Sequence, residues 1–345
     1  MARVPPAKKG KLLKPLPKIG FYLFLFSFLF CDSGCAPKPI SRHQEEINGV
    51  FHEVIVVGKT KADRDRLLAR SFEMIRRLEE KTSARKPGSE ISKINQSAFP
   101  NPQQTSPEIF ALIEKGIEFF EKSGGAFDIT VLPLTKLWAF GTLEPHLPKP
   151  EEIQALLPEV GSDQILLDAK KKKVGFRRPH MEIDLSSLSQ GYICDELIQF
   201  LKAGKATGAL VNVGGTIAVF GQSPERKPWR VGIRHPRDPT RTLKVVSLAD
   251  EALSTRGDYD EFFVINGRRY CNLLNPRTGY PANESVAVSV IAPSALLADA
   301  LSTSLFVLGP QKAPHLANQY ARVRWYLTYF SNGDHFKTLS SEPTA

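Results

Sequence analysis

Asp299 and Thr303 stand four residues apart in the run Ala298-Asp299-Ala300-Leu301-Ser302-Thr303. On a helix that spacing brings a carboxylate and a hydroxyl out on one face. Both are hard oxygen donors of the kind Mg²⁺ prefers. Leu297, Leu301 and Leu305 make an apolar stripe beside them that half-buries Asp299. A half-buried carboxylate requires a cation or hydrogen-bond donors.

Four other stretches carry residue types suited to a nucleotide. Ser123-Gly124-Gly125-Ala126-Phe127-Asp128-Ile129-Thr130 places two glycines after a helical pattern, so backbone can approach a ligand closely; the structural reading is a helix C-cap and a turn. Asp184-Leu185-Ser186-Ser187-Leu188-Ser189-Gln190-Gly191 sets an acid and small polar residues at a helix start. Backbone N–H groups there would face a phosphate, or Ser187 or Ser189 simply caps the helix. Val211-Asn212-Val213-Gly214-Gly215 lacks the dinucleotide fingerprint and the P-loop lysine, and reads as a tight turn between strands. In Tyr270 to Gly279, Arg277 and Thr278 either bind a phosphate or hold the turn, and holding the turn is favoured.

The elements that must position these residues are legible as hydrophobic periodicity. Leu67, Leu68, Phe72, Ile75 and Leu78 stripe a helix over 64–81. Ser106-Pro107-Glu108 starts a second helix that ends at Gly124-Gly125. A proline-rich connection follows over 143–158. Strands are expected at 54–57, 164–167, 173–177, 182–185, 209–213, 217–220, 230–234, 262–265, 269–274, 286–291, 325–330 and 335–339. Helices are expected over 190–203 and after the cap Ser294. Asn266-Gly267 and Asn332-Gly333 mark hairpins. Without regular βαβ alternation the fold class is α+β, with helices packed on antiparallel-rich sheets.

Composition narrows the function classes. The 345 residues carry a net charge of +10, but Arg3, Lys8, Lys9, Lys11, Lys14 and Lys18 all lie in the first twenty, and without them the balance is about +4. No basic run with interleaved aromatics appears later, which disfavours nucleic acid as a partner. The basic tract and the apolar stretch Ile19–Phe30 match a secretory signal, too short for a spanning helix. Gly34-Cys35 then fits a lipid-attachment site, with Asp32 standing where an aliphatic residue is usual. This divides the chain into a signal at 1–35 and a domain at 36–345, exported and held by a lipid at Cys35 to the periplasmic face of the inner membrane. Cys194 and Cys271 either pair in that oxidising compartment or remain buried thiols.

Taken in order, the pieces resemble the ApbE family of FAD:protein FMN transferases, over about 48–309. The ordered set is Ser89-Glu90-Ile91-Ser92 with Asn95, the Ser123–Thr130 segment with Pro133-Leu134 and Leu137-Trp138, Asp184 to Tyr192, Leu210 to Gly215, Ser254 to Tyr259, Asn275 to Gly279, and Ala298 to Thr303. The resemblance implies an ApbE-like fold and Mg²⁺-dependent chemistry. FAD is the substrate, a threonine or serine hydroxyl of an exported or membrane flavoprotein attacks the FMN phosphorus, and AMP leaves. Targets in the family include a subunit of the sodium-pumping NADH:quinone reductase. Asp299, Thr303 and the carbonyl of Ser187 match the metal ligands. Asn48, Arg85, Ala126, Phe127, Asp128, Asp184, Gln190 and Leu274 match flavin-nucleotide contacts, and Asp299 is also expected to help accept the hydroxyl proton. Asn48 stands where Met is common, Arg85 where an aromatic is common, Gln190 where Lys or Glu is usual, and Arg256 where Ser is usual. Asn272 replaces the usual His, and loss of a general base typically costs about 10²–10⁴-fold. The surviving metal pair implies an active, divergent enzyme. The competing readings are a Mg²⁺-dependent FAD pyrophosphatase giving FMN and AMP, and a flavin-binding lipoprotein without catalysis.

Overall fold

The computed structural model describes residues 38–342, apart from 59, 143 and 332–334. The signal segment, Cys31 and Cys35 lie outside the described residues. The strands are β1 (Ile40–Ile47), β2 (Val50–Val57), β3 (Gln103–Gln104), β4 (Ile165–Asp168), β5 (Lys173–Phe176), β6 (Gly208–Val213), β7 (Thr216–Gly221), β8 (Trp229–Arg234), β9 (Thr242–Leu248), β10 (Ala252–Gly257), β11 (Phe262–Ile265), β12 (Arg268–Cys271), β13 (Ala287–Ala292), β14 (Arg324–Phe330) and β15 (Phe336–Ser340). The helices are α1 (Lys61–Thr82), α2 (Glu90–Ser97), α3 (Pro107–Lys122), α4 (Leu132–Trp138), α5 (Pro150–Leu156), α6 (Ser186–Ala203) and α7 (Ala295–Ala317). This is the α+β class expected.

Eight strands form one antiparallel sheet in the order β1-β2-β6-β7-β10-β13-β14-β15. Period-two alternation sends side chains to two different cores. Val54 and Val56 of β2 join Val211 and Val213 of β6 under α1, α6 and α7. Ile55, Val57, Leu210 and Val219 face the other way, against Trp229, Val231, Ile233, Val246 and Leu248 of the β8–β9 ribbon. The sheet is therefore covered on both faces, which explains why β2 and β6 read as continuous apolar runs. A third cluster packs α2, α3, β4 and β5 around Phe127, Ile129, Ile183 and Leu185. A fourth surrounds Trp138 with Leu134, Phe140, Ile153, Phe263 and Leu274.

Helix starts follow side-chain chemistry. Thr60, Ser89, Ser106 and Ser294 each accept a backbone N–H of the first turn of α1, α2, α3 and α7. Four sequence expectations are corrected. The proline-rich 143–158 segment contains α5, because Pro150 sits at the helix start, where its missing N–H costs nothing. Residues 182–185 form no strand. Helix α6 begins at Ser186, earlier than Gln190, because the Asp184 carboxylate accepts the Ser186 N–H at 2.9 Å. The strand expected over 269–274 stops at Cys271, and Leu274 makes only an isolated bridge to Pro281. Cys194 and Cys271 are unpaired thiols in the same core.

Candidate active site

The site is built where α6 crosses the first turns of α7. Gly191 makes the crossing possible. A Cβ there would lie 2.5 Å from the Ala295 carbonyl oxygen and 2.7 Å from Leu296 Cα. From the next turn of α6, the Asp195 carboxylate accepts the N–H groups of Ala295 and Leu296 at 2.8 and 2.9 Å. It adds negative charge at the positive end of α7. Burial pushes the Asp195 carboxyl up, and those two N–H groups oppose the shift.

Asp299 lies one turn further along α7 and is wholly buried. Oδ2 accepts the Gly191 N–H at 3.0 Å, and Oδ1 accepts the Ser254 hydroxyl at 3.3 Å and the guanidinium of Arg256. Burial raises its carboxyl, with the Arg256 charge the largest opposing influence. Ser254 and Arg256 alternate along β10, so both point at α7. The Ser302 hydroxyl donates to Ser254 Oγ at 3.2 Å, and Ser254 and Thr216 share a hydrogen bond of 3.1 Å.

Arg256 gathers the expected residues. Its Nε faces Thr303 Oγ1 at 3.4 Å, its Nη1 faces Gln190 Oε1 at 3.2 Å, and its Nη2 pairs with Asp299. Gln190 in turn packs on the β6–β7 turn. A Cβ on Gly214 would lie 2.4 Å from Gln190 Nε2, and Gly214 adopts a φ of 61°. Ser187 is four residues before Gly191, so its carbonyl is the regular helical acceptor of the N–H that Asp299 also approaches. A carboxylate and a hydroxyl of α7 thus meet around one position that already attracts positive charge, with the Ser187 peptide one helical turn before Gly191. That donor set fits a hard divalent cation.

The Ser123–Thr130 segment is tied to this centre through the α6 start, where Asp184 N–H donates to the Ile129 carbonyl at 2.7 Å. Asp128 itself faces inward. Its Oδ1 accepts the Thr130 N–H at 2.8 Å and the Thr130 and Ser162 hydroxyls, both at 2.6 Å, and its Oδ2 accepts the Ser162 N–H at 3.3 Å. Burial pushes its carboxyl up, against those donors. Ala126 and Phe127 are buried beside it. Arg277 donates to the Gly124 carbonyl, so it holds the turn. Trp138 Nε1 donates to the Gly279 carbonyl at 2.8 Å and fixes the other end of that loop. Leu274 is buried against Trp138.

The remaining expected residues are bonded elsewhere. Asn48 occupies the β1–β2 turn at φ 53°, its Nδ2 donating to Glu79 at 3.1 Å. Arg85 is exposed just beyond α1. Asn272 Nδ2 donates to Glu261 Oε2 at 2.8 Å, and Asn272 N–H donates to the Glu261 carbonyl at 3.0 Å. A carboxylate therefore stands beside the position of the usual His. Sequence reasoning did not single out Asp195 or Glu261, and it met Ser254 only as the first residue of the Ser254–Tyr259 motif. Ser254 was detectable from its two-residue spacing to Arg256 on a strand.

A family model described as the ApbE family matches residues 49–327. The chain belongs to the ApbE family. A FAD:protein FMN transferase of Haemophilus influenzae is 34% identical over 269 residues, covering 76% of this chain and 77% of its own. One from Treponema pallidum is 30% identical over 311 residues, covering 85% of each. The crystal structure of the ApbE protein from Thermotoga maritima superposes with a TM-score of 0.80 at 28% identity, covering 87% of this chain and 96% of its own. The apo form of the Pseudomonas stutzeri flavinyl transferase ApbE gives 0.78 at 28%, covering 89% and 96%. Polar groups from α6, β10 and α7 converge at the α6–α7 crossing.

Proposed function

We propose that this chain transfers FMN from FAD to a threonine or serine hydroxyl of another protein and releases AMP. The observation that carries this reading is the convergence of Asp299, Thr303 and Gln190 on one cation-holding position, in a chain of the ApbE family. Asp299, Thr303 and the Ser187 carbonyl would hold Mg²⁺, which when bound neutralises charge on the FAD diphosphate.

The chain's own groups do the rest. The acceptor oxygen bonds to the FMN phosphorus, and the bond from that phosphorus to the oxygen bridging to AMP breaks. The hydroxyl proton would pass to Asp299 as general base. Gln190 and the α6 start would position the nucleotide, with N–H groups of that first turn facing its phosphates. The target is an exported or membrane flavoprotein, such as a subunit of the sodium-pumping NADH:quinone reductase. The chain would meet it on the periplasmic face of the inner membrane, anchored through a lipid on Cys35.

Incubation with FAD, Mg²⁺ and such a target, followed by intact-mass measurement, tests the reading. The target gains one FMN unit, and Asp299→Ala removes the gain. Free FMN with an unmodified target would sink it in favour of hydrolysis.

A further inference from the structure

Three nitrogens of Arg256 each face a different oxygen of the site: Asp299 Oδ1, Thr303 Oγ1 at 3.4 Å and Gln190 Oε1 at 3.2 Å. The guanidinium thus occupies the place between the two α7 donors where a divalent ion would sit. Asp299 explains why a cation is needed there at all times. Its side chain is 0% exposed, and a buried carboxylate left without a partner is strongly destabilising. Arg256 is the partner that the chain supplies for itself. Its own side chain keeps 15% exposure, so it is held at the rim of the core and has a way out. A guanidinium has five N–H donors in a planar fork, a geometry that matches phosphate oxygens as well as carboxylate.

We propose that Arg256 is an exchangeable counter-ion of Asp299. A divalent cation displaces the guanidinium from the Asp299 and Thr303 oxygens, and the displaced guanidinium then pairs with the diphosphate of the nucleotide. This rests on the functional reading above for the identity of the nucleotide. The consequence is linkage. Metal alone must evict the guanidinium from three oxygen partners while supplying no new one, so it binds weakly. Metal with a diphosphate gives the guanidinium a new partner, so the two bind together. By reciprocity, the nucleotide likewise binds weakly without the metal.

Mn²⁺ tests this directly, because it takes the same oxygen ligands and its free form is counted by electron paramagnetic resonance. Titrations of the full domain, with and without FAD, would compare the unaltered chain with Arg256→Ser, Arg256→Lys and Asp299→Ala. Arg256→Ser is expected to bind Mn²⁺ alone at least tenfold more tightly than the unaltered chain. The factor by which FAD tightens Mn²⁺ is expected to fall at least tenfold in that variant, since direct chelation by the diphosphate remains but the guanidinium's reward is gone. Arg256→Lys keeps a charge but offers a single nitrogen, and is expected to fall between the two. It decides the matter if Arg256→Ser fails to fold. Equal Mn²⁺ affinity across the Arg256 series overturns the proposal. So does an unaltered chain that takes up no Mn²⁺ even with saturating FAD, which would make the guanidinium a permanent replacement. Unchanged Mn²⁺ binding by Asp299→Ala would place the ion elsewhere and also overturn it. Failure of the transferase reading shows separately, as absence of mass gain on the target while Mn²⁺ and FAD still bind.

Discussion

Replacing Gly191 with alanine adds one methyl group at the point where α6 meets the backbone of α7. The added carbon would sit 2.5 Å from the Ala295 carbonyl oxygen and 2.7 Å from both Ala295 C and Leu296 Cα. These are backbone atoms, and the Asp195 carboxylate clamps their N–H groups, so no flexible side chain can yield. Reaching an ordinary contact of 3.4 Å requires the two helices to part by about 0.9 Å. Overpacking of this kind costs about 1–3 kcal/mol. At about 1.5 °C per kcal/mol for a domain of this size, the melting temperature falls by roughly 2–5 °C. The functional cost is expected to be larger. The same separation stretches the 3.0 Å bond from Gly191 N–H to Asp299 and carries Asp299 and Thr303 away from Gln190. A misplacement of about 1 Å in a positioned group can cost on the order of 10²-fold in rate. Intact-mass assays of FMN transfer, run well below the melting temperature, read this loss. Gly215→Ala serves as the control, because its φ of 96° imposes backbone strain while its Cβ meets nothing within 4 Å. The reasoning is refuted if Gly191→Ala transfers FMN at the unaltered rate, or if Gly215→Ala loses as much.

Further expectations follow from individual contacts. Asp299→Asn keeps the shape but removes the charge, and transfer should fall by about 10²–10³-fold, as for loss of a preorganised electrostatic contact; initial rates across a Mg²⁺ series measure this. Asp128→Asn presents an N–H₂ to hydrogen-bond donors and should cost about 1.5–3 kcal/mol in urea unfolding. Because burial holds the folded Asp128 carboxyl above its ordinary value, the folded state keeps its proton longer than the unfolded chain does. Its contribution to stability is therefore full at acid pH and is lost as pH rises through the folded value, so melting curves of the variant should decline less steeply with rising pH. In a chain starting at Ala36, Cys194 and Cys271 should stay unreactive to a thiol reagent until unfolding, since burial raises both thiols, Cys271 to about 12. Arg277→Ala frees the 275–279 loop from Gly124 and should raise the KM for FAD more than it lowers kcat.

The parts of the molecule that were legible in sequence are those where local chemistry decides. The caps Ser106 and Ser294, the helical stripe of α1 and the Asn266-Gly267 hairpin appeared where spacing placed them. Pairing across the chain was not legible. Nothing near Asp184 announces that its N–H meets Ile129, or that its side chain, more than Ser187 or Ser189, starts α6. Likewise the Asp299–Thr303 pair was readable from four-residue spacing. The cation beside it was not, because Arg256 reaches it from a strand 43 residues away. The helix α5 was missed for a different reason: prolines suggest loops, yet Pro150 at a first helical position favours the helix.

The direction of β1 separates the N-terminal end of the described chain from the turn beside Gln190. Its first residue, Ile40, pairs with Val57, while its last, Ile47, adjoins the turn that packs with Gly214 near Gln190. Eight extended residues rise about 25 Å. Whatever is joined to the chain ahead of Ile40 therefore enters the sheet about one strand length from the turn beside Gln190. A tag or partner fused at the N-terminus would thus be kept clear of the α6–α7 crossing by the length of β1.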